Sequence, residues 1–498
     1  MTNPNHNSDS HVDVVVVGGG PGGSTAATFI AMQGNRVLLL EKEQLPYYKI
    51  GESLLPATIH GICPMLGVSD ALNQANFMRK LGGTFRWGKS QEPWNFLFAE
   101  SAKMAGPTST AFQVERMKFD SILLENARKK GVDVRERHSV TGVIHENGRV
   151  AGVEFTDNLG VSHTVHSRYV VDASGHQSIL ARHAGERIYS NFFQNVALFG
   201  YFSGAGRMPT PHQGNIFCAA FDNGWFWFIP LTATLTSVGA VIGKEHAPIL
   251  RQGYEPAMNQ FIAACPPIQN LLSTAARVTD GPYGELRVRK DYSYCHTKFW
   301  VPGLVLLGDA ACFIDPVFSS GVHLATYSGL LAARSINTCL KQDLDEERCF
   351  SEFEARYRRE FGLFYDFLLA FYDLDQDLDS YFWHARKVTN SPDAVNKAFV
   401  ELVGGVGGAR EQLYSSPEEF IRAREGLGQV LFPESGGEPA TTGKSESRKA
   451  EFYTDLLGEI FQLQAQAKLK ERRPPEFALF PDGLVPSVDG LHWREAEA

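Results

Sequence analysis

Three glycines near the start of the chain have the spacing of a phosphate-binding turn. Gly18, Gly20 and Gly23 form a GxGxxG pattern between an apolar β-branched run and a helical segment. The first glycine permits a tight turn, the second lets the backbone approach a pyrophosphate, and the third lets the helix pack closely on the strand. Glu41 closes the next apolar run, where an acidic side chain would meet an adenosine ribose. These residues together predict a dinucleotide site.

A second candidate site lies in the segment GDAACFIDPVFSSGVHLATYSGLL. The apolar run Leu304 to Leu307 predicts a buried strand that ends at Gly308, and a helix is predicted to begin at about Gly321. A helix N terminus carries partial positive charge, so the backbone amides of Ser320 and Gly321 would stabilise an anion such as chloride.

Three further candidates each have an ordinary structural explanation. Lys80 in FMRKLGGTFRWG could act as an amine or as a hydrogen-bond donor, but a lone lysine is usually a solvated surface charge. The segment GWFWFIP, residues 224–230, by itself predicts a strand whose aromatic side chains pack in a core. Arg116 precedes a helical pattern, and its spacing alone fits a surface arginine equally well.

The patterns around these residues predict an α/β fold. Val14 to Val17 has the continuous apolar character of a parallel strand covered on both faces, and Val37 to Leu40 repeats it after the helix that follows the glycines. Phe119, Ile122, Leu123 and Ala127 predict one face of another helix. Aromatic residues at steps of three and four after Phe350 predict a long C-terminal helix with one buried face.

Composition excludes several classes of protein. The 498 residues include 43% hydrophobic and 21% charged residues, which is typical of a globular protein. A net charge of -9 argues against a nucleic-acid partner. No apolar run is long enough to span a membrane and the N terminus lacks a signal-peptide pattern, so we expect a cytoplasmic protein. The seven cysteines are scattered and predict neither disulfides nor a metal site.

The order of Gly308, Asp309, a short loop and a helix resembles that of the flavoprotein aromatic hydroxylases and their relatives. This resemblance implies FAD rather than NAD, with the aspartate holding the ribityl chain and the helix N terminus facing the flavin pyrimidine. The positive end of the helix would stabilise the anion of a reduced flavin. Arg116 would then lie near the cofactor, and VVDASG, residues 170–175, would close over the adenine side.

GWFWFIP matches the WxWxIP signature of the flavin-dependent halogenases, with Trp225, Trp227, Ile229 and Pro230 in the four fixed places. KIGESLLP, residues 49–56, resembles the flavin-proximal turn of that family, and FMRKLGGTFRWG, residues 77–88, resembles its lysine segment. The resemblance extends from about residue 12 to about residue 400. It favours the branch that acts on aromatic groups tethered to a carrier protein, and within it the tyrosyl halogenases of natural-product assembly lines.

The resemblance implies a mechanism and a set of site residues. Reduced FAD and O2 would give a flavin C4a-hydroperoxide, chloride would attack its distal oxygen, and the tryptophans would separate flavin from substrate. Lys80 would be the catalytic residue that directs hypochlorous acid onto the ring, as a chloramine or as a hydrogen-bond donor. Ser320 and Gly321 would bind chloride. The residues expected to bind the cofactor are Gly18, Gly20, Gly23, Glu41, Gly51, Glu52, Ser53, Arg116, Asp309, Pro316 and Val322.

Phe318 departs from the halogenases of free tryptophan, which carry a glutamate in this loop. The departure favours a phenolic or pyrrolic substrate on a carrier, because electron-rich rings need less acid–base assistance. We expect two partners, a separate flavin reductase and a peptidyl carrier protein that bears a tyrosyl-like group. Two alternatives remain open, an FAD-dependent aromatic hydroxylase and a non-catalytic flavoprotein scaffold subunit.

The predicted fold is an FAD-binding, monooxygenase-like α/β core with a substrate-side β-sheet and a C-terminal helical region. The core covers residues 1–345, with FAD-binding segments at about 11–80, 110–185 and 285–345 and sheet segments at about 81–109 and 186–284. A helical region follows at 346–433, then a linker at 434–449, and a C-terminal helix and tail at 450–498.

Overall fold

The structure is a computed structural model that describes residues 11–87, 93–100, 107–341, 344–373 and 483–495. Its first part alternates short strands with helices. In chain order the elements are β1 Val12–Val17, α1 Pro21–Ala31, β2 Val37–Glu41, α2 Cys63–Leu66, α3 Ser69–Gln74, β3 Met78–Lys80, β4 Gly82–Arg86, β5 Trp94–Leu97, β6 Ala111–Gln113, α4 Arg116–Lys129, β7 Asp133–Glu136, β8 Ser139–Glu146, β9 Arg149–Thr156 and β10 Ser162–Asp172.

The second part is dominated by long antiparallel strands followed by two long helices. Its elements are β11 Arg187–Ser203, β12 Ile216–Phe221, β13 Gly224–Pro230, β14 Leu235–Gly243, α5 Tyr254–Ala263, α6 Pro266–Leu271, β15 Ala276–Arg277, β16 Arg287–His296, β17 Trp300–Val301, β18 Leu304–Leu306, β19 Cys312–Phe313, α7 Gly321–Lys341, α8 Glu346–Asp373, β20 Leu484–Pro486 and β21 Trp493–Glu495.

One sheet carries the glycine-rich turn. Its strands are ordered β17-β18-β10-β1-β2-β7, and β1 pairs in parallel with both β10 and β2. The hairpin of β8 and β9 extends from β10. Val14, Val15 and Val16 are fully buried, as the apolar run predicts for a central strand with both faces covered. The α/β fold with a Rossmann-type turn is confirmed.

The second sheet has nine strands in the order β19-β16-β11-β14-β13-β12-β4-β5, with β15 paired to β11. Strand β16 pairs with β11, and β19 pairs with β16. Both lie in the range 285–345 predicted as an FAD-binding segment, and that domain assignment stays a prediction. The local sequence of β16 and β19 does not indicate which sheet they join, because the sheet is determined by partner strands such as β11 that are distant in sequence.

The C-terminal part contacts helix α7. Trp493 donates a hydrogen bond from its indole Nε1 to Ser335 Oγ at 2.8 Å, and Arg334 Nε donates to the Gly490 carbonyl at 2.8 Å. Residues 483–495 therefore form a packed β-hairpin within the range predicted as tail. The predicted linker, the helix that follows it, and residues beyond Asp373 in the helical region lie outside the described residues. Within the described residues, no helix is both long and apolar enough to cross a membrane.

Candidate active site

Lys80 is a buried amine. It ends strand β3, which pairs with β6, and only 3% of the residue is exposed. Its Nζ donates hydrogen bonds to Ser53 Oγ at 2.9 Å and to the Leu54 carbonyl at 3.1 Å. Burial lowers the pKa of this amine to about 7, because the charged form loses its hydration. The solvated-surface alternative for Lys80 is therefore wrong, and a substantial fraction of the amine is neutral near pH 7.

The tryptophan strand β13 divides its side chains between two cores. Trp225, Trp227 and Ile229 point into the larger core, while Phe226 and Phe228 point into a smaller one formed with α5 and α6. This alternation is the two-residue period of a strand that is buried on both faces. The core-packing alternative explains the phenylalanines. It leaves the tryptophans together on the face that Cys218 and Phe85 share.

Cys218 connects the tryptophan strand with the surroundings of Lys80. It is the cross-strand partner of Trp227 on one side and of Phe85 on the other. A thiolate at Cys218 would be close enough to raise the pKa of Lys80, but burial keeps the pKa of this thiol far above its ordinary value, so it stays protonated at neutral pH. The lysine and the second tryptophan therefore lie around one buried, protonated thiol.

The Trp227 indole lies against the backbone of the neighbouring strand β14. Gly239 is its cross-strand partner, and a β-carbon at Gly239 would meet Trp227 Cζ2 at 2.2 Å. The indole Nε1 donates to Ser237 Oγ at 3.2 Å, two residues along the same strand. The glycine provides the space and the serine provides the acceptor that together hold this ring in one orientation.

Trp225 is joined to the loop before helix α7. Its indole Nε1 donates to the Tyr372 hydroxyl at 2.6 Å, and that hydroxyl donates to Asp315 Oδ2 at 2.8 Å. Asn195 Nδ2 donates to the same oxygen at 3.0 Å. Tyr372, Asp315 and Asn195 were not among the predicted site residues. Their signal is a hydrogen-bond chain between distant segments, which only the folded structure provides.

The loop that precedes α7 ends in an uncapped helix N terminus. Asp315 accepts a hydrogen bond from the Val317 amide, which fixes a short turn over Pro316–Phe318. Ser319 then adopts a left-handed conformation with φ 59°. Ser320 is 1% exposed and its hydroxyl has no hydrogen-bond partner among the described residues, while a β-carbon on Gly321 would meet no atom within 4 Å. Backbone amides, an unpaired hydroxyl and open space therefore converge at the start of α7.

Phe318 and Val322 surround this N terminus with apolar groups. Phe318 is 6% exposed and its ring centroid lies 6.2 Å from that of Phe85. Val322 is 7% exposed. Phe318, which stands where the halogenases of free tryptophan carry a glutamate, is therefore packed against another aromatic ring.

The glycine-rich turn has the cradle that a pyrophosphate requires. Gly18 has φ 102°, and a β-carbon on Gly23 would meet the Gly18 carbonyl oxygen at 1.9 Å. A β-carbon on Gly20, the N-cap of α1, would meet no atom within 4 Å, and no side chain caps that helix. Glu41 is buried and accepts the Gly19 amide at 2.6 Å. These features fit the diphosphate end of FAD.

A second cluster lies at the flavin-proximal turn. Arg116 forms a bidentate pair with Asp120, at 2.7 and 2.8 Å, and donates to the Ile50 carbonyl at 2.5 Å. Gly51 has φ 103°, and a β-carbon there would lie 2.9 Å from Arg116 Nη1. Burial raises the pKa of Asp309 to about 6, although the positive charge of Arg116 acts to lower it. Arg116 is 9% exposed, so the surface alternative is wrong for this residue too.

Glu52 points away from Lys80 into a separate polar cluster. The carboxyl is 2% exposed, and burial raises its pKa to about 7. Tyr201 donates from its hydroxyl to Glu52 Oε1 at 2.6 Å, and the Tyr201 and Tyr48 hydroxyls lie 2.8 Å apart. Ser53 points the other way, toward Lys80. Neighbouring residues of one predicted turn therefore reach two different clusters.

The predicted site residues thus form connected groups rather than one contact cluster. Lys80 bonds to Ser53, Arg116 contacts the turn at Gly51, and Glu41 bonds to the glycine-rich turn. Ile229 and Pro230 continue the tryptophan strand and are buried.

Comparison with known proteins identifies the family. The family model described as tryptophan halogenase matches residues 13–107 and 99–434. The solved myxobacterial chondrochloren halogenase CndH, a variant of FAD-dependent halogenases, is 50% identical with a TM-score of 0.77 over 97% of this chain and 100% of that one. The tryptophan 2-halogenase of Chondromyces crocatus is 33% identical over 80% of this chain and 76% of its own length.

A third relative is the 1H-pyrrole-2-carbonyl-[peptidyl-carrier protein] chlorinase of Pseudomonas fluorescens, 31% identical over 74% of this chain and 85% of its own length. The chain belongs to the tryptophan halogenase family, a family of flavin-dependent halogenases. It is an FAD-dependent oxidoreductase, and the resemblance drawn from its motifs is confirmed. The named relatives act on different rings, so membership of the family leaves the substrate open.

Proposed function

We propose that this enzyme chlorinates an electron-rich aromatic ring, a tyrosyl-type group carried on a peptidyl carrier protein, and that Lys80 directs the chlorine. The observation that carries the proposal is the burial of the Lys80 amine among Ser53, Leu54 and the core. A lysine kept solely for solubility would not be buried without a carboxylate partner, because the desolvation cost is high.

The chemistry of Lys80 follows from its protonation. With a pKa lowered to about 7, the amine is divided between its neutral and charged forms at neutral pH. The neutral form attacks hypochlorous acid to give a chloramine and water, with the amine losing a proton and gaining chlorine. The ammonium form donates a hydrogen bond that polarises the same oxidant. Both routes hold chlorine at the end of strand β3.

Helix α7 supplies the proposed chloride site at Ser320 and Gly321. The unpaired Ser320 hydroxyl and the open space beside Gly321 support it, because a buried donor without a partner is costly unless a ligand satisfies it. The helix has 21 residues, so its N-terminal amides carry the full end-of-helix potential.

FAD would be held by the glycine-rich turn together with eight further residues. These are Glu41, Gly51, Glu52, Ser53, Arg116, Asp309, Pro316 and Val322. Bound reduced FAD would supply the two electrons that reduce O2 to the peroxide level, and this oxidant would convert chloride to hypochlorous acid. A separate flavin reductase would provide that reduced cofactor. Trp225 and Trp227 would exclude the aromatic acceptor from the flavin side, because their rings are buried and held by hydrogen bonds.

Two observations support the choice of substrate. Phe318 replaces an ionisable group beside the proposed chloride site with a packed aromatic ring, which suits a ring activated by its own hydroxyl. The Pseudomonas fluorescens relative is a chlorinase of a pyrrole bound to a peptidyl carrier protein. Seven free, buried cysteines suit a reducing compartment such as the cytoplasm, where carrier and reductase would be available.

The experiment combines enzyme, flavin reductase, FAD, NADH, chloride and O2 with one acceptor at a time. The acceptors are a tyrosyl-loaded carrier protein, free tyrosine and free tryptophan, and intact-mass spectrometry is the readout. We expect the chlorine isotope pair on the loaded carrier. Chlorination of free tryptophan in preference to the carrier would overturn the substrate assignment, and addition of oxygen alone would favour the hydroxylase.

A further inference from the structure

A chain of three proton-carrying groups runs from the partly exposed side of the protein to a buried carboxyl. Tyr48 is half-buried, and its hydroxyl lies 2.8 Å from that of Tyr201. Tyr201 is fully buried and donates to Glu52 Oε1 at 2.6 Å. Each distance is short enough for a proton to pass along existing hydrogen bonds, without movement of a side chain.

The other end of this chain approaches the tryptophan strand. Glu52 Oε2 has no partner of regular hydrogen-bond geometry among the described residues, but the Ser237 hydroxyl lies near enough to favour the ionised carboxyl. Ser237 is the acceptor for the Trp227 indole, so its own proton remains free to turn toward Glu52. The Glu52 carboxyl therefore lies between the Tyr201 hydroxyl on one side and Ser237, the acceptor of the Trp227 indole, on the other.

The charged residues around Glu52 do not keep its carboxyl permanently ionised. Arg116 favours its ionised form, and Glu115 opposes it. On the outer side, Arg287 lies over the Tyr48 ring at 3.9 Å, and Arg289 also acts on Tyr48. The Tyr283 ring lies against that of Tyr201 at a centroid distance of 4.4 Å, with the ring planes tilted by 50°, and its hydroxyl donates to Glu115 at 3.2 Å. No lysine or arginine forms an ion pair with Glu52 among the described residues, and its burial makes proton exchange at neutral pH possible.

The reaction in the proposed function consumes a proton inside a closed site. In balance, neutral FADH2, O2, chloride and one proton give oxidised FAD, hypochlorous acid and water, and the anion of the reduced flavin requires a second proton. Chlorination of the ring by hypochlorous acid then releases water, with the ring hydrogen replaced by chlorine. At least one proton from solvent is therefore needed in every turnover, and a buried site requires a route for it.

We propose that Glu52 is a proton-transfer group of the cofactor side of the site and that Tyr201 and Tyr48 relay protons to it from solvent. Tyr201 gives a proton to ionised Glu52, Tyr201 regains one from Tyr48, and Tyr48 regains one from solvent. Glu52 then gives its proton to the reduction of O2 on the cofactor side and returns to its ionised form. This inference rests on the proposed function. Glu52 would be a second ionisable group of the site, separate from Lys80, and protons would reach it through Tyr48 and Tyr201.

The first test uses the protein without flavin or substrate, so that its result does not depend on halogenase activity. Infrared difference spectra are recorded between pH 5 and pH 9 for the wild type and for Glu52→Gln, Tyr201→Phe and Tyr48→Phe. We expect a buried protonated-carboxyl band that disappears near neutral pH and is absent in Glu52→Gln. Tyr201→Phe should move its midpoint upward, because the lost hydrogen bond favoured the ionised form.

The second test measures turnover and its pH profile with reduced FAD, O2, chloride and the acceptor that the wild type uses. Tyr201→Phe and Tyr48→Phe should lower kcat by about tenfold or more, with little change in KM for the acceptor. Tyr283→Phe is the matched control, since its hydroxyl bonds to Glu115 outside the chain, and we expect wild-type kcat.

The outcomes separate the two proposals. A carboxyl band that titrates near neutrality, together with lower kcat in both tyrosine variants, supports the relay. A Glu52 carboxyl that stays ionised down to pH 5, or wild-type kcat and pH profile in both tyrosine variants, overturns it. Failure of ring chlorination would overturn the proposed function, while the infrared titration and the rate of flavin oxidation would still report on Glu52. If Glu52→Gln does not fold, the half-buried Tyr48 variant still decides the kinetic test.

Discussion

The indole nitrogen of Trp225 and the hydroxyl of Tyr372 are joined by a 2.6 Å hydrogen bond, although 147 residues separate them in sequence. The same hydroxyl donates to Asp315 in the loop that leads to helix α7. Tyr372 of α8 therefore fixes the position of Trp225 relative to the loop that leads to the proposed chloride site. The two parts of the site depend on each other through this residue.

Tyr372→Phe should separate the wall from the loop while it keeps the ring that packs 5.3 Å from Phe193. We expect KM for chloride to rise roughly three- to tenfold, the equivalent of one net hydrogen bond. Steady-state kinetics at varied chloride measures this. Tyr365→Phe, which removes a 2.8 Å hydrogen bond to Ser190, is the matched control and should change stability alone. Equal chloride dependence in both variants would contradict the link.

Gly239→Ala tests the orientation of Trp227. The added β-carbon would meet the indole at 2.2 Å, so the ring must move, at a cost of about 1–3 kcal/mol in unfolding free energy. We expect a change in near-ultraviolet circular dichroism and loss of product per FAD oxidised, with the difference released as hydrogen peroxide. Gly200→Ala on strand β11 is the control, because its β-carbon meets the ends of two flexible side chains, Leu286 Cδ2 at 2.5 Å and Arg277 Nη1 at 4.0 Å, instead of an aromatic ring. Unchanged product yield in Gly239→Ala would remove the wall from the mechanism.

Two glycines of the phosphate-binding turn should respond differently to the same substitution. Gly20→Ala places its methyl in open space, so the fold should remain stable while FAD affinity falls, since the β-carbon would occupy the space of the pyrophosphate. Gly23→Ala meets the Gly18 carbonyl at 1.9 Å and should destabilise the domain itself. Thermal unfolding and FAD titration separate these effects. Wild-type FAD affinity in Gly20→Ala would place the cofactor elsewhere.

The buried amine of Lys80 should make stability depend on pH. Its folded pKa is about 7 and its ordinary value is 10.5, so between these values the unfolded chain binds a proton that the folded chain does not. The unfolding free energy must then rise as pH increases through this window. Between pH 7 and pH 9.5 the wild type should gain up to about 3 kcal/mol relative to Lys80→Met. Urea unfolding measures it, and parallel curves for the two proteins would show that the amine is solvated.

Local patterns predicted the parts of the fold that depend on local physics. The glycine spacing, the buried run Val14 to Val17 and the start of α7 at Gly321 all follow from backbone sterics and apolar periodicity. The catalytic role of Lys80 was inferred only through resemblance, and its burial is a finding of the structure, because a lysine beside an arginine gives no local sign of burial. The resemblance itself was confirmed by the family match and by the chondrochloren enzyme.

Long-range pairings escaped sequence reasoning. The Glu52 to Tyr201 hydrogen bond spans 149 residues, and Trp225 to Tyr372 spans 147. Each polar group is compatible with many partners, and only the assembled sheets decide which one it meets. The pairing of strand β16 with β11 in the nine-stranded sheet is another long-range contact of this kind.

The most direct measurement compares Lys80→Met with the wild type on the tyrosyl-loaded carrier, by intact mass, under conditions in which both bind FAD equally. Lys130→Ala, which replaces an exposed lysine at the C-cap of α4, is the control for loss of a positive charge. We predict the chlorine isotope pair on the carrier for the wild type and the control, and none for Lys80→Met. Chlorinated carrier at the wild-type rate from Lys80→Met would contradict the central claim.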